Sequence, residues 1–315
     1  MFGFETCFVQ FLNKFRNSSG KRQTYFTANQ YISFGGTWIE FIWYMKLFLR
    51  KNNWWFYFIL TYVLSWTVWY LGDLLLPDEL RDLVLVIGAF GPFCAAMILV
   101  KASSDKGKLK SWLRTTFNLK INYSWYLLGA IALPFLFAGM HHLLYLSLGG
   151  ESGVNFGVDW LLYFAYLIPT ALLSGGNEEP GWRGYITPVL LKRFNIWIAH
   201  VIVGVGWALW HLPLYMLRDW GGDNQPFIWL VIYCIPLSMI FTWLYYRSRK
   251  SILPVMLLHA GSNVVSQYFP MNSRVFENVN DEYTLIKAGL YLITAIIILI
   301  STNGTLGISR EKSEL

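Results

Sequence analysis

The chain has 315 residues, of which 55% are hydrophobic, 18% aromatic and 14% charged. A soluble domain usually carries about 25% charged residues, so a water-soluble fold of this composition would expose large apolar patches. The composition excludes an ordinary cytosolic enzyme, a disordered chain and a nucleic-acid-binding protein, and the net charge of +7 fits basic residues collected on one side of a membrane.

Residues 1–53 are predicted to form an N-terminal cytoplasmic or interfacial segment without a cleavable signal peptide, because the start of the chain lacks a basic region followed by an apolar run. The apolar stretch Trp38–Leu49 is too short to cross a bilayer. It fits a helix lying in the membrane interface. A poorly structured cytoplasmic leader is the alternative.

Eight apolar runs follow, each near the length of about 20 residues that a helix needs to cross a bilayer. They are residues 54–76, 83–100, 123–148, 158–176, 195–217, 226–246, 251–269 and 285–301. The runs are continuously apolar rather than alternating, which argues against a membrane β-barrel. The sequence therefore predicts an all-α, polytopic integral membrane protein with about eight transmembrane helices.

The loops between these runs predict the orientation of the chain. If the N-terminus is cytoplasmic and all eight runs cross the membrane, 21 of the 25 Lys and Arg residues fall on the cytoplasmic side, with residues 177–194 as one of the cytoplasmic segments. Basic loops remain in the cytoplasm, so both termini are predicted to be cytoplasmic, with the cell membrane as the location. We divide the remaining chain into three transmembrane helices (54–157), a catalytic core (158–270), and a last helix with a short tail (271–315).

Charged residues interrupt the apolar pattern after the fourth run. Glu178 and Glu179 are adjacent, and Arg183 follows within the same segment. In a helix Glu179 and Arg183 share a face and can pair, which leaves Glu178 pointing elsewhere as a free acid or base. A solvated surface loop between the fourth and fifth helices is the alternative.

Two further polar groups lie inside apolar runs, where ionisable residues are costly and often functional. Trp207 and His211 are four residues apart, and Pro213 breaks the helical hydrogen bonding just after them. His259 and Asn263 are also four apart and can face one site. The alternatives are a structural core histidine at 211 and, at 259 and 263, hydrogen bonds that hold packed helices together.

These motifs resemble a known family. EEPGWR (Glu178–Arg183), WALWH (Trp207–His211) and HAGSN (His259–Asn263) are similar to those of the CPBP family, the CAAX proteases and bacteriocin-processing or immunity proteins, also called ABI or Rce1-like. The pattern is Glu-Glu-x-x-x-Arg, Phe-x-x-x-His, then His-x-x-x-Asn or Asp. The similarity covers roughly residues 158–270. Trp207 departs from the pattern's Phe, an exchange expected mainly to affect packing.

The resemblance implies an intramembrane endopeptidase that acts on a membrane-associated peptide or protein within the lipid bilayer. Glu178 is then the general base assisted by His211, and His259 and Asn263 donate to the oxyanion. Glu179 and Arg183 orient the first motif.

Alternatives remain for both the chemistry and the function. In a metal-dependent version, Glu178, His211 and His259 bind Zn²⁺ and leave one position for water. A non-catalytic membrane scaffold or a bacteriocin self-immunity protein is the alternative function. A transporter is a third hypothesis. The sequence shows no half-repeat symmetry, which argues against it.

Overall fold

The computed structural model of the protein describes residues 38–103, 107–152, 161–217, 226–266, 271–272 and 279–308. The chain divides into two units, Met1–Met45 and Lys46–Leu315. Residues 1–37, most of the predicted N-terminal segment, lie outside the described residues. Trp38–Leu49 belongs to the first helix. All the contacts that follow are within the second unit.

The described secondary structure is almost entirely helical. In chain order the helices are α1 (Trp38–Leu75), α2 (Arg81–Ala89), α3 (Gly91–Ser103), α4 (Lys108–Thr116), α5 (Tyr123–Leu127), α6 (Leu133–Ser147), α7 (Leu161–Leu173), α8 (Glu179–Gly181), α9 (Thr187–Leu191), α10 (Ile196–Trp210), α11 (Leu212–Met216), α12 (Phe227–Arg247), α13 (Leu253–Val265) and α14 (Val279–Ser301). Two-residue strands, β1 (Glu151–Ser152) and β2 (Met271–Asn272), pair antiparallel.

The predicted fold class is confirmed, because each of the eight apolar runs overlaps at least one of these helices. Five helical stretches are long and apolar enough to cross a membrane: Trp54–Leu75, Asp78–Ala102, Tyr123–Ser147, Phe227–Arg247 and Thr284–Ser301. Ile196–Trp210 and Leu253–Val265 are shorter apolar helices. The protein is therefore an all-α, polytopic integral membrane protein. The division into 54–157, 158–270 and 271–315 stays a prediction.

Helices α10, α12, α13 and α14 surround the region where the predicted motifs meet. Helix α12 packs against both α10 and α14, and α13 packs against α6 and α7. A Cβ at Gly261 would lie 2.6 Å from both Pro134 Cγ and the Tyr163 hydroxyl oxygen. The small residues of the third motif therefore permit the close helix approach that the sequence indicated.

The segment that follows α7 enters the protein interior rather than forming a surface loop. It consists of a 3₁₀ turn (Gly176–Glu178), α8, a π-helical turn (Trp182–Ile186) and α9. Residues 175–187 are all buried. The surface-loop alternative is wrong, and so is the placement of Arg183 in a cytoplasmic loop, because its charge is paired internally as described below. The orientation of the chain stays a prediction.

Candidate active site

A buried ion pair organises the first motif. The Arg183 Nη1 atom donates to Glu179 Oε1 at 3.0 Å and lies 2.9 Å from Oε2, and both side chains are 0% exposed. The Arg183 guanidinium also covers the ring of Trp207 at 4.2 Å and that of Phe241 at 4.7 Å. The predicted pairing of Glu179 with Arg183 is confirmed, and the aromatic faces shield the guanidinium from lipid and solvent.

The π-helical turn places Arg183 within this pair. Such turns widen a helix locally and are frequent at functional sites. Within the turn, Thr187 Oγ1 donates to the carbonyl of Trp182 at 2.8 Å, which closes the widened segment. Trp182 itself is fully buried and packs edge-on against Tyr57 and Trp210. The charged pair is therefore held by aromatic packing on the surrounding helices.

Glu178 points away from the ion pair, as the sequence indicated. Its Oε2 atom accepts a hydrogen bond of 2.9 Å from Trp207 Nε1, and the side chain is only 4% exposed. The expectation that Trp207 mainly affects packing was wrong, because its indole N–H holds the carboxylate of the first motif. A phenylalanine at this position has no such donor.

The two motif histidines each use Nδ1 as a hydrogen-bond donor. His211 lies at the break between α10 and α11, and its Nδ1 is 2.9 Å from the carbonyl oxygen of Trp207. His259 Nδ1 lies 2.8 Å from Glu179 Oε1. Because a carbonyl or carboxylate oxygen accepts, each Nδ1 carries its proton, and in the neutral rings Nε2 keeps a lone pair.

Gly175 brings the third motif against the first. Its φ is +112°, and a Cβ there would lie 2.8 Å from Asn263 Nδ2 and 3.1 Å from His259 Nε2. Only glycine combines this backbone conformation with this close approach. Asn263 and His259 therefore face one site, as their spacing predicted.

A cavity of about 400 Å³ connects these groups. Glu178, His211, His259, Asn263 and Trp207 line it. Within the described part of the chain, the lining does not include Glu179 or Arg183, which lie behind it. The structure thus separates the predicted catalytic residues at the cavity wall from the predicted supporting pair in the interior.

Known proteins are similar to this chain in sequence. Residues 159–265 match the family described as type II CAAX prenyl endopeptidase Rce1-like. The chain is also similar to CAAX prenyl protease 2 of Methanococcus maripaludis, with 26% identity over 271 residues that cover 77% of this chain and 92% of that protein. These similarities support the predicted resemblance to the Rce1-like family. The chain is an intramembrane endopeptidase of the CAAX protease type, so the predicted reaction class is confirmed.

The zinc-binding alternative stays a prediction, and two observations weigh against it. Among the described residues, no three His, Cys, Asp or Glu side chains are grouped so that they could hold a metal ion. One carboxylate oxygen of Glu178 is already occupied by Trp207.

The sequence did not indicate several residues that line the cavity. Lys287, Tyr233, Cys234 and His141 all line it. The one signal that distinguished Lys287 was its position inside the last apolar run, residues 285–301, since a lysine there is costly unless it has a function.

Proposed function

We propose that this protease hydrolyses a peptide bond near the C-terminus of a membrane-associated protein, using a water molecule activated by Glu178. The observation that supports it most is the different environment of the two adjacent glutamates. Glu179 is neutralised by Arg183 behind the cavity wall, whereas Glu178 lines the cavity with a single hydrogen bond to one oxygen. A base must reach its water, and only Glu178 of the two is placed to do so.

In this mechanism Glu178 acts first as base and then as acid. Its Oε2 atom is held by Trp207, so Oε1 takes a proton from the water as the water attacks the scissile carbonyl carbon. The carbonyl π electrons move to oxygen and form the oxyanion. The proton on Glu178 then passes to the leaving amine as the carbon–nitrogen bond breaks.

The remaining motif residues orient the water and stabilise the oxyanion. The Nε2 lone pair of His211 accepts a hydrogen bond from the attacking water. Asn263 donates its amide N–H to the oxyanion. Glu179, at 2.8 Å from Nδ1, holds the His259 ring in place beside the oxyanion, to which a doubly protonated ring donates from Nε2.

The relative's name suggests the substrate class for this chain. A CAAX sequence is a C-terminal Cys-a-a-X whose cysteine carries a prenyl group. We propose substrates that end in such a sequence and that reach the site from the cytoplasmic side, with this protein in the cell membrane and both termini cytoplasmic. The direct test is release of the C-terminal fragment of such a peptide by purified protein.

Replacing Trp207 with phenylalanine is expected to lower kcat by about 10- to 100-fold, because a hydrogen bond to a charged group contributes about 1.5–3 kcal/mol. An aromatic ring that can stack on Arg183 is kept, so folding should change little.

Trp112 is the matched control. Its indole N–H donates to the Gly184 carbonyl oxygen at a distance of 3.0 Å, and Trp112 does not line the cavity. Trp112→Phe should keep kcat near that of the wild type. Equal rates for Trp207→Phe and wild type would show that the indole N–H plays no part.

Metal chelation is expected to leave the activity unchanged, because the proposed mechanism uses side chains alone. Purified protein is incubated with EDTA or 1,10-phenanthroline, separated from the chelator, and assayed with a CAAX peptide. A loss of activity that added Zn²⁺ restores would contradict the proposal and support the three-ligand site instead.

A further inference from the structure

We propose that Lys287 binds the free C-terminal carboxylate of the substrate and so sets the distance between the chain end and the bond that is cut. This inference rests on the proposed function, and it assigns a role to a cation that the mechanism above does not use.

Lys287 is an unusual residue for its position. It lies on α14, three residues inside the start of the candidate membrane span Thr284–Ser301, which is about 4.5 Å at a rise of about 1.5 Å per residue. Its side chain lines the cavity of the active site. Lysine within a membrane span is costly, and such residues usually face a cavity and mark a functional site.

The charge of Lys287 has no acidic partner among the described residues. Its Nζ atom lies over the Tyr233 ring, 4.8 Å from the centroid. A cation–π contact offsets part of the cost of desolvating an ammonium group but leaves its hydrogen bonds to be made. Arg183, the other cation near the cavity, is instead paired with Glu179 at 2.9 Å. Lys287 is therefore the cation available to a ligand in this cavity.

The cation and the proposed base belong to one continuous space. Lys287 and Glu178 line the same cavity of about 400 Å³. Cys234, the neighbour of Tyr233 in sequence, lines it too. A ligand that fills the cavity can therefore reach both groups.

A short C-terminal segment suits this space. Any peptide bond within a four-residue CAAX sequence lies within three residues of the free carboxylate. In an extended chain, the distance from that bond to the carboxylate is therefore at most about 10 Å. Small-ligand pockets commonly measure about 300–1,000 Å³, which is the range of this cavity. Apolar walls strengthen the attraction between an ammonium and a carboxylate, because the local dielectric constant is low.

The test compares two peptides that differ only at their C-terminus, one a free acid and the other an amide. The wild type is expected to cleave the acid with a kcat/KM about 10- to 100-fold higher, the range for a hydrogen bond between charged groups. Lys287→Met should lose this preference and cleave both peptides at about the rate of the wild type on the amide. Lys287→Arg should keep the preference.

Lys250→Met is the matched control, because Lys250 is exposed and also lies over a tyrosine ring, Tyr246 at 5.9 Å. It should keep the preference for the acid. If Lys287→Met does not fold, inhibition of the wild type by acid and amidated forms of the released fragment gives the same comparison, with tighter binding of the acid expected.

Two results would overturn the Lys287 proposal alone. The wild type could cleave the acid and the amide equally well, or Lys287→Met could keep the full preference while remaining folded. In either case hydrolysis by Glu178 stands. If the wild type cleaves neither peptide and both fail to bind, the proposed function fails and the Lys287 proposal fails with it.

Discussion

Glu178→Gln is expected to reduce kcat by about 10²–10⁴-fold, the usual contribution of a general base. Glutamine keeps the size of the side chain and an oxygen that can accept from Trp207 Nε1, but it cannot take a proton from water. Folding and substrate binding should therefore change little. The measurement is the single-turnover rate of cleavage of a CAAX peptide by purified protein in detergent or vesicles.

Glu79→Gln is the control for this substitution, since Glu79 lies in an exposed turn before α2 and undergoes the same chemical change. It should cleave at the rate of the wild type. A Glu178→Gln protein with an unchanged rate would remove Glu178 from the mechanism. If that protein also protected cells against a bacteriocin as well as the wild type, the scaffold or immunity alternative would be favoured.

Arg183→Met is expected to cause the largest loss of stability, about 3–5 kcal/mol, because it leaves the buried Glu179 carboxylate without its cationic partner. His259 remains as the only other donor to that carboxylate among the described residues. The free energy of unfolding in detergent or bicelles measures the effect. Arg81→Met is the control, since Arg81 pairs with Asp78 at 2.8 Å on the surface and such pairs contribute little.

The double variant Arg183→Met/Glu179→Met separates stability from activity. Removing both charges should restore much of the lost stability, because no unpaired buried charge remains. Activity should stay low, since His259 has then lost the carboxylate that orients its Nδ1 atom. Wild-type stability in the Arg183→Met single variant would contradict the assignment of this pair as the support of the site.

Local spacing in the sequence predicted the features that depend on one element. Apolar run length located the helices, because every backbone group in lipid must be paired within its own segment. The four-residue spacing of Glu179 and Arg183 predicted their pairing, since helix geometry alone brings them together. The break near His211 followed from Pro213, which has no N–H to donate.

Contacts between elements could not be predicted in the same way. Trp207 meets Glu178 across 29 residues, and His259 meets Glu179 across 80. Helical periodicity shows which residues share a face but not which helix that face contacts. The donor role of Trp207 was missed for this reason, and so was the position of Lys287 in the cavity wall.

The burial of residues 175–187 shows a second limit of the sequence. Basic residues at 183, 192 and 193 made this segment resemble a cytoplasmic loop. An internal partner cancels the charge of Arg183, and that partner lies in the same segment. Charge counts alone cannot distinguish a solvated arginine from one that is neutralised in the interior.

The most direct test of the proposed mechanism is a structure of the Glu178→Gln protein with an uncleaved CAAX peptide bound. The proposal predicts that the scissile carbonyl carbon lies in the cavity, within reach of one bridging water from the side chain at position 178, about 4–6 Å. His211 and Asn263 should flank the same carbonyl group. A peptide bound elsewhere, or a scissile bond more than about 10 Å from position 178, would contradict it.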